Sequence, residues 1–224
     1  MHEIMNNVVD FWKQIFFRCI DFVLPAGDIE TMEPEVFASR ATKSSHPENQ
    51  PAFINTLFSY RDPMVRRAIW ELKYRGNKRI ASVLGTCLYK EMLKKRVGES
   101  ESGQMSIVII PIPSSRKRFR EKGFNQTYLL ADAVKKLDQE KIFSINTSLL
   151  QKRKETKTQV SIRNRQKRLE NLKGAFGIDE SENIRGATCF LIDDVTTTGA
   201  TLFEARETLL KAGAKKVLAF TLAH

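Results

Sequence analysis

Cysteine is scarce and poorly placed for chemistry: Cys19, Cys87 and Cys189 are the only three, far apart and without a CxxC pair. That excludes a thiolate zinc ribbon and a disulfide framework, and it fits a reducing compartment. Histidine is equally scarce. His2, His46 and His224 sit at the termini and in a polar stretch, away from every motif, so neither histidine acid–base catalysis nor a metal cluster is expected. Long apolar runs are missing too. The richest stretch (Val8, Val9, Phe11, Trp12, Ile15, Phe16, Phe17, Ile20) is interrupted by Asp10, Lys13, Arg18 and Asp21. It also lacks the basic start and small-residue cleavage site of a signal peptide. No membrane span is expected, and a cytoplasmic location is. Internal repeats and low-complexity tracts are absent.

Positive charge is plentiful and concentrated. The formal charge is +11, from 37 basic and 26 acidic residues. Residues 116–122 carry five basic residues and one acid, residues 152–168 eight and one, and these two segments hold the whole surplus. A scattered surplus would argue only for solubility. Two dense segments argue for a polyanionic ligand such as diphosphate, a nucleotide or nucleic acid.

The chain is organised around residues 189–202, Cys-Phe-Leu-Ile-Asp-Asp-Val-Thr-Thr-Thr-Gly-Ala-Thr-Leu. Four apolar residues entered from Gly186 read as a buried parallel strand. Asp193 and Asp194 stand where it ends. A turn of small and hydroxylated residues follows, and from Leu202 a helical period begins (Leu202, Ala205, Leu209, Leu210). Such a turn aims backbone N–H groups at an anion, and the helix start adds its positive dipole end. Gly199 permits close approach or a positive φ, and the threonines supply short donors. The two carboxylates can accept from a sugar diol or hold Mg²⁺. The plainer alternative is a βα turn with exposed acids and a threonine-rich cap.

Around this stretch, residues 4–24 show a helical apolar period and residues 25–51 read as a Pro-containing linker or irregular cover. A strand over 53–60 precedes helices over 64–74 and 79–95, with Gly76 as a left-handed cap between them. A loop over 98–105 leads to a second strand, 106–112. The basic 116–122 segment reads as its exit loop, and a helix from Gly123-Phe124-Asn125-Gln126 runs through Leu137. Strands over 142–150, 174–178 and 216–222 complete the pattern. Alternating strands and helices predict an α/β fold with a mostly parallel twisted sheet flanked by helices. The expected division is an N-terminal helical appendage with its linker, 1–52, and the α/β domain, 53–224.

The 189–202 run resembles the PRPP-binding motif of the type I phosphoribosyltransferases. Further runs resemble one subfamily, the ComF proteins associated with DNA uptake in competent bacteria. They are Ile110-Pro111-Ile112-Pro113…Arg116…Lys122-Gly123-Phe124-Asn125-Gln126, then Leu72-Lys73-Tyr74-Arg75-Gly76, then the basic 152–168 segment running to Gly174-Ala175-Phe176. Two departures stand out. The four-cysteine zinc ribbon of that subfamily has no counterpart here, so no zinc is expected. Lys122 replaces a typical arginine, which keeps the charge and loses the bidentate fork.

The resemblance implies a type I phosphoribosyltransferase-like fold and a set of site residues. Thr196, Thr197, Thr198, Gly199, Ala200 and Thr201 would cradle a 5′-phosphate. Asp193 and Asp194 would take the ribose hydroxyls and Mg²⁺, and Ser114 and Ser115 would line the diphosphate. Arg116, Lys152 and Arg153 would stabilise the departing diphosphate in a pentosyl transfer. In the 6-oxopurine salvage enzymes an aspartate matches Thr197 and serves as proton acceptor, so purine salvage is disfavoured here. Bottom-up, Arg116, Arg118 and Arg120 can offer bidentate donors to phosphate oxygens. The 152–168 segment can serve equally as a closing loop or as a nucleic-acid arm. Phe119, Phe124 and Phe176 can stack on bases or pack inside. Beside the enzyme stand two other expectations: a single-stranded-DNA-binding module, and a scaffold whose 4–24 helix docks a partner such as a competence helicase.

Overall fold

The computed structural model describes residues 29–45, 50–97, 107–154, 172–179 and 182–224. The expected 4–24 helix, the 98–105 loop and most of the second basic segment lie outside them.

The main sheet has five parallel strands: β1 (Ile54–Phe58), β2 (Ile107–Pro111), β3 (Ser144–Ile145), β6 (Thr188–Val195) and β7 (Lys216–Ala223), in the order β1-β7-β6-β2-β3. A small antiparallel hairpin, β4 (Leu150–Lys152) with β5 (Phe176–Ile178), stands apart. The helices are α1 (Pro34–Arg40), α2 (Pro63–Trp70), α3 (Lys78–Val97), α4 (Arg116–Lys122), α5 (Gln126–Leu137) and α6 (Ala200–Lys211). None of the described helices is long and apolar enough to cross a membrane.

Strand alternation divides the core into two layers. From β6, Phe190 and Ile192 pack on one face with Leu72, Leu84, Leu130, Phe58 and Phe220. Cys189 and Leu191 pack on the other with Leu202, Leu209, Val217 and Ala219. A period of two in a strand covered on both faces gives such a continuous apolar run. The aromatic chain Phe143, Phe190, Phe220 crosses the first layer, with the last two ring centroids 4.9 Å apart.

Several expected elements change. Within 25–51, α1 forms and buries Phe37 completely, and Ile29 joins the same layer. Residues 42–44 then pair with the free edge of β1: Ser44 N–H donates to Leu57 O and Ser59 N–H to Thr42 O. The stretch over 142–150 is not one strand. Asn146 Oδ1 accepts from Ser148 and Leu149 N–H, and this side-chain turn breaks it into β3 and β4. The basic 116–122 segment is the helix α4, with Ser115 Oγ accepting from Arg118 N–H at its start. Gly76 does adopt the left-handed cap, φ 60°, but what it closes is a five-residue π-turn, Glu71–Arg75, that extends α2.

Helices α3 and α5 meet closely at Gly85. A methyl group there would come within 2.6 Å of Ala133 Cβ. Gly85→Val is expected to destabilise by about 1–3 kcal/mol through overpacking. A urea melt should show a lower midpoint at unchanged slope, while Ser82→Ala on the exposed face of α3 should leave the midpoint in place.

Candidate functional site

The sheet order fixes where a ligand can enter. From β2 the chain turns outward to β3, and from β6 it turns the other way to β7. The crevice between these two departures, beyond the carboxyl ends of the strands, is where open parallel sheets bind ligands. Pro111 and Ile192 are partners in register, and Ile112 N–H donates to Ile192 O, so Pro113–Arg116 and Asp193–Thr198 leave the sheet side by side. At the foot of α5, Asn125 Nδ2 and Thr127 Oγ1 both donate to Ile112 O and pin that exit.

The two acids are the last polar residues of β6, not residues beyond it. Alternation sends Asp194 to the layer of Phe190 and Ile192, and Asp193 to that of Cys189 and Leu191. Asp194 is buried. Its Oδ1 accepts from Val195 N–H at 2.6 Å, while its Oδ2 is buried with no hydrogen-bond partner. Asp193 Oδ1 accepts from Asp194 N–H. Burial, reinforced by the Asp194 charge, pushes the Asp193 carboxyl up to about 7, against the pull of Lys73 and Lys152.

The turn after the acids is held from both ends. Thr196 N–H donates to Ala223 O, and the imidazole Nε2 of His224 lies 2.9 Å from Thr197 O. His224 therefore does touch the central motif, contrary to the expectation from the sequence. Gly199 has φ 72°, and a Cβ there would sit 2.8 Å from Ile54 Cδ1, so glycine is required by conformation and by space. Ala200 opens α6, with Thr201 in its first turn. Thr198 Oγ1 is buried with no hydrogen-bond partner. Asp194 Oδ2, at the end of β6, and Thr198 Oγ1, in the turn that follows, are thus two buried polar atoms without a partner.

A further residue was not singled out by sequence reasoning. Lys73 Nζ lies 3.1 Å from Asp194 Oδ1. Burial alone would lower this ammonium; the charge and hydrogen bond of Asp194, with Asp193 behind them, leave it raised. Lys73 rides on the π-turn, and its carbonyl, in the last turn before the Gly76 cap, accepts from Lys122 Nζ at 2.9 Å. Lys122 also lies over the Tyr74 ring, and burial together with Arg118 and Lys73 lowers its affinity for a proton. Beneath the turn, Arg67 and Glu71 form an ion pair at 2.6 Å with no exposure at either end. Trp70 has the Arg67 and Arg75 guanidiniums over its ring. Gly76 ends the turn against Phe124, whose ring would be 2.9 Å from a Cβ. The Leu72–Gly76 run that resembled a family element is thus the arm that brings a cation to the acids. The hint in the sequence was the resemblance of the Leu72–Gly76 run itself.

The remaining candidates spread along the rim. Arg116 lies with Ser114, Phe119, Arg120, Asn125 and Tyr128 around an open cleft of about 580 Å³. Ser115 caps α4. Lys152, in β4, is near enough to Asp193 to draw its carboxyl downward. Arg153 folds back over Gly177, donating from Nη2 to Ile178 O, so its side chain serves the hairpin. Phe176 is core, while Phe119 is exposed. No cluster of three or more acids, histidines and cysteines occurs among the described residues. Two carboxylates suit Mg²⁺, which keeps its waters and leans on a ligand's phosphates.

Topology and turn together put the molecule in the class of type I phosphoribosyltransferase folds. The phosphoribosyl transferase domain model matches residues 76–224. Competence protein ComFC of Bacillus subtilis is 30% identical over 169 residues, covering 75% of this chain and 62% of the relative's own length. DNA utilization protein YhgH of Escherichia coli O157:H7 is 30% identical over 160 residues, covering 71% and 67%. Competence protein F of Haemophilus influenzae is 35% identical over 118 residues, covering 52% and 49%. A hypoxanthine phosphoribosyltransferase from Staphylococcus aureus superposes with a TM-score of 0.33 at 17% identity, over 69% of this chain and 61% of that one. The chain belongs to the ComF-like branch of the phosphoribosyltransferase family.

The raised Asp193 carboxyl carries a stability prediction. Its proton favours the native state fully below the unfolded carboxyl value near 4 and stops doing so as pH rises through about 7. Asp193→Asn does not titrate. Its stability advantage over wild type without ligand is expected to grow between pH 4.5 and 7.5, on the order of 2 kcal/mol. Paired thermal melts across that window check this, and parallel curves would refute it.

Proposed function

We propose that the crevice binds PRPP, or the phosphate and ribose of a nucleotide, together with Mg²⁺, in a cytoplasmic protein linked to DNA uptake. The observation that carries this reading is the pair of unsatisfied buried atoms, Asp194 Oδ2 and Thr198 Oγ1, at the switch point. Thr198 and the N–H groups at the start of α6 suit a 5′-phosphate. Asp194 Oδ2 suits a ribose hydroxyl, and Asp193 and Asp194 would hold the metal. When bound, Mg²⁺ supplies positive charge to the diol and the diphosphate. The chain's own part in a pentosyl transfer is positioning and charge. Asp193 and Asp194 orient the ribose, and Arg116 and Lys152 face the charge that collects on the diphosphate as its bond to the anomeric carbon breaks. The acceptor forms the new bond there and releases its proton. Arg153 joins only by leaving Gly177.

Calorimetric titration of PRPP with Mg²⁺ at fixed salt tests this. Wild type is expected to bind, and Asp193→Ala/Asp194→Ala to lose at least about tenfold in affinity. Equal binding by both would overturn the reading.

A second reading has its own observation. The open cleft sets Phe119 and Tyr128 among Arg116 and Arg120. Aromatic faces beside guanidiniums suit single-stranded nucleic acid, with stacking of about 1–3 kcal/mol per base. The names of the relatives above, a competence protein and a DNA utilization protein, lean the same way. Phe119→Ala/Arg120→Ala is expected to weaken oligonucleotide binding and to flatten its dependence on salt, read by fluorescence anisotropy at two ionic strengths. An unchanged affinity and slope would dismiss it.

A further inference from the structure

Three ion pairs gather on the α2 arm, Arg67–Glu71, Arg75–Glu71 and Lys73–Asp194, and the first and last are built differently. Arg67 and Glu71 are sealed, with no exposure at either end. Lys73 keeps 27% of its side chain exposed while Asp194 keeps 6%. A sealed pair is permanent, because separating it strands a charge in the core. A pair with one wet end is exchangeable, because water can receive the ammonium as it leaves. The backbone under Lys73 is meanwhile fixed by Lys122 on its carbonyl and by Gly76 against Phe124. The side chain can therefore move without the turn moving.

The carboxylate it touches is half satisfied. Asp194 Oδ1 already accepts from Val195 N–H and from Lys73, while Oδ2 is buried without a partner. A divalent cation approaching these oxygens meets an ammonium 3.1 Å from one of them. We infer that Lys73 is a positioning residue that acts as the resident cation of the acid pair, holding Asp194 in place and keeping a lone divalent metal out. Metal then enters only with a phosphorylated ligand whose negative charge draws Lys73 from Asp194 to a phosphate oxygen. The inference rests on the acid pair being a ribose and metal site, as proposed above.

The test uses Mn²⁺ alone as the probe. Free Mn²⁺ is counted by electron paramagnetic resonance against the whole chain at fixed ionic strength, without PRPP. Lys73→Met is expected to bind Mn²⁺ at least about tenfold more tightly than wild type, since a unit charge a few ångströms away is removed. Lys73→Arg should bind as weakly as wild type. Lys95→Met, the same charge change near the far end of α3, should also leave binding unchanged. Adding Asp194→Asn to Lys73→Met should abolish the gain. Equal Mn²⁺ affinity of Lys73→Met and wild type overturns the inference, and so does a gain in Lys95→Met as large as in Lys73→Met. Circular dichroism melts confirm the fold of each variant, and Lys73→Gln replaces Lys73→Met if the latter does not fold. Calorimetry of PRPP with Mg²⁺ separates the two proposals. If wild type does not bind, the ligand reading fails, and the Mn²⁺ comparison still decides the role of Lys73. If wild type binds, Lys73→Met is expected to bind more weakly.

Discussion

A parallel strand covered on both faces can hold a charge only where its covering layers stop. Strand β6 is paired on both sides, by β2 and β7, and packed above and below until Ile192. Its next two residues are carboxylates. Alternation then divides them, one toward the α2 arm and Lys73, the other toward the hairpin and Lys152. The polarity of the crevice, the unequal environments of the two acids and the direction of the threonine turn all follow from where the layers end.

The α2 arm shows how such a site is supported from a distance. Burying a guanidinium and a carboxylate together is costly, and breaking the Arg67–Glu71 pair from one side would cost about 3–5 kcal/mol. What the pair contributes is geometry. It joins α2 to the π-helical segment, the Arg67 and Arg75 guanidiniums lie over the Trp70 ring, and Lys73 reaches Asp194 from the same segment. The Lys73 carbonyl lies in the last turn before Gly76, where a helix leaves its carbonyls without partners of its own, and Lys122 takes it up. Through that bond the basic helix α4 and the acid pair become parts of one assembly.

The legible part of the molecule was the part written locally. Residues 189–202 contain strand, acids, turn and helix in one run, and the fold places them so, with Gly199 at positive φ. The element order and the parallel sheet were equally open to reading, because period-two and period-3.6 patterns are local. Elements decided by a single side chain were not. Asn146 cut one apparent strand in two, and Ser115 turned a basic loop into a helix, although a serine three residues before Arg118 N–H was there to be seen. Contacts between distant segments were out of reach. Nothing in the sequence near Lys73 names Asp194, nothing near His224 names Thr197, and the burial of Phe37 depends on α3 and β1 lying beside it.

The pairing of residues 42–44 along β1 has a colloidal consequence. An edge strand of a parallel sheet offers a row of unpaired backbone groups that a second molecule can extend. Here the bonds of Ser44 to Leu57 and of Ser59 to Thr42 occupy the far end of that row, and the Lys43 ammonium stands over Phe58. At the opposite margin β3 is only two residues long, too short to template a neighbour. Both margins of the sheet are thus poor seeds for strand-by-strand growth. When copies of so strongly charged a protein are crowded together, these two margins offer little for strand pairing to build on.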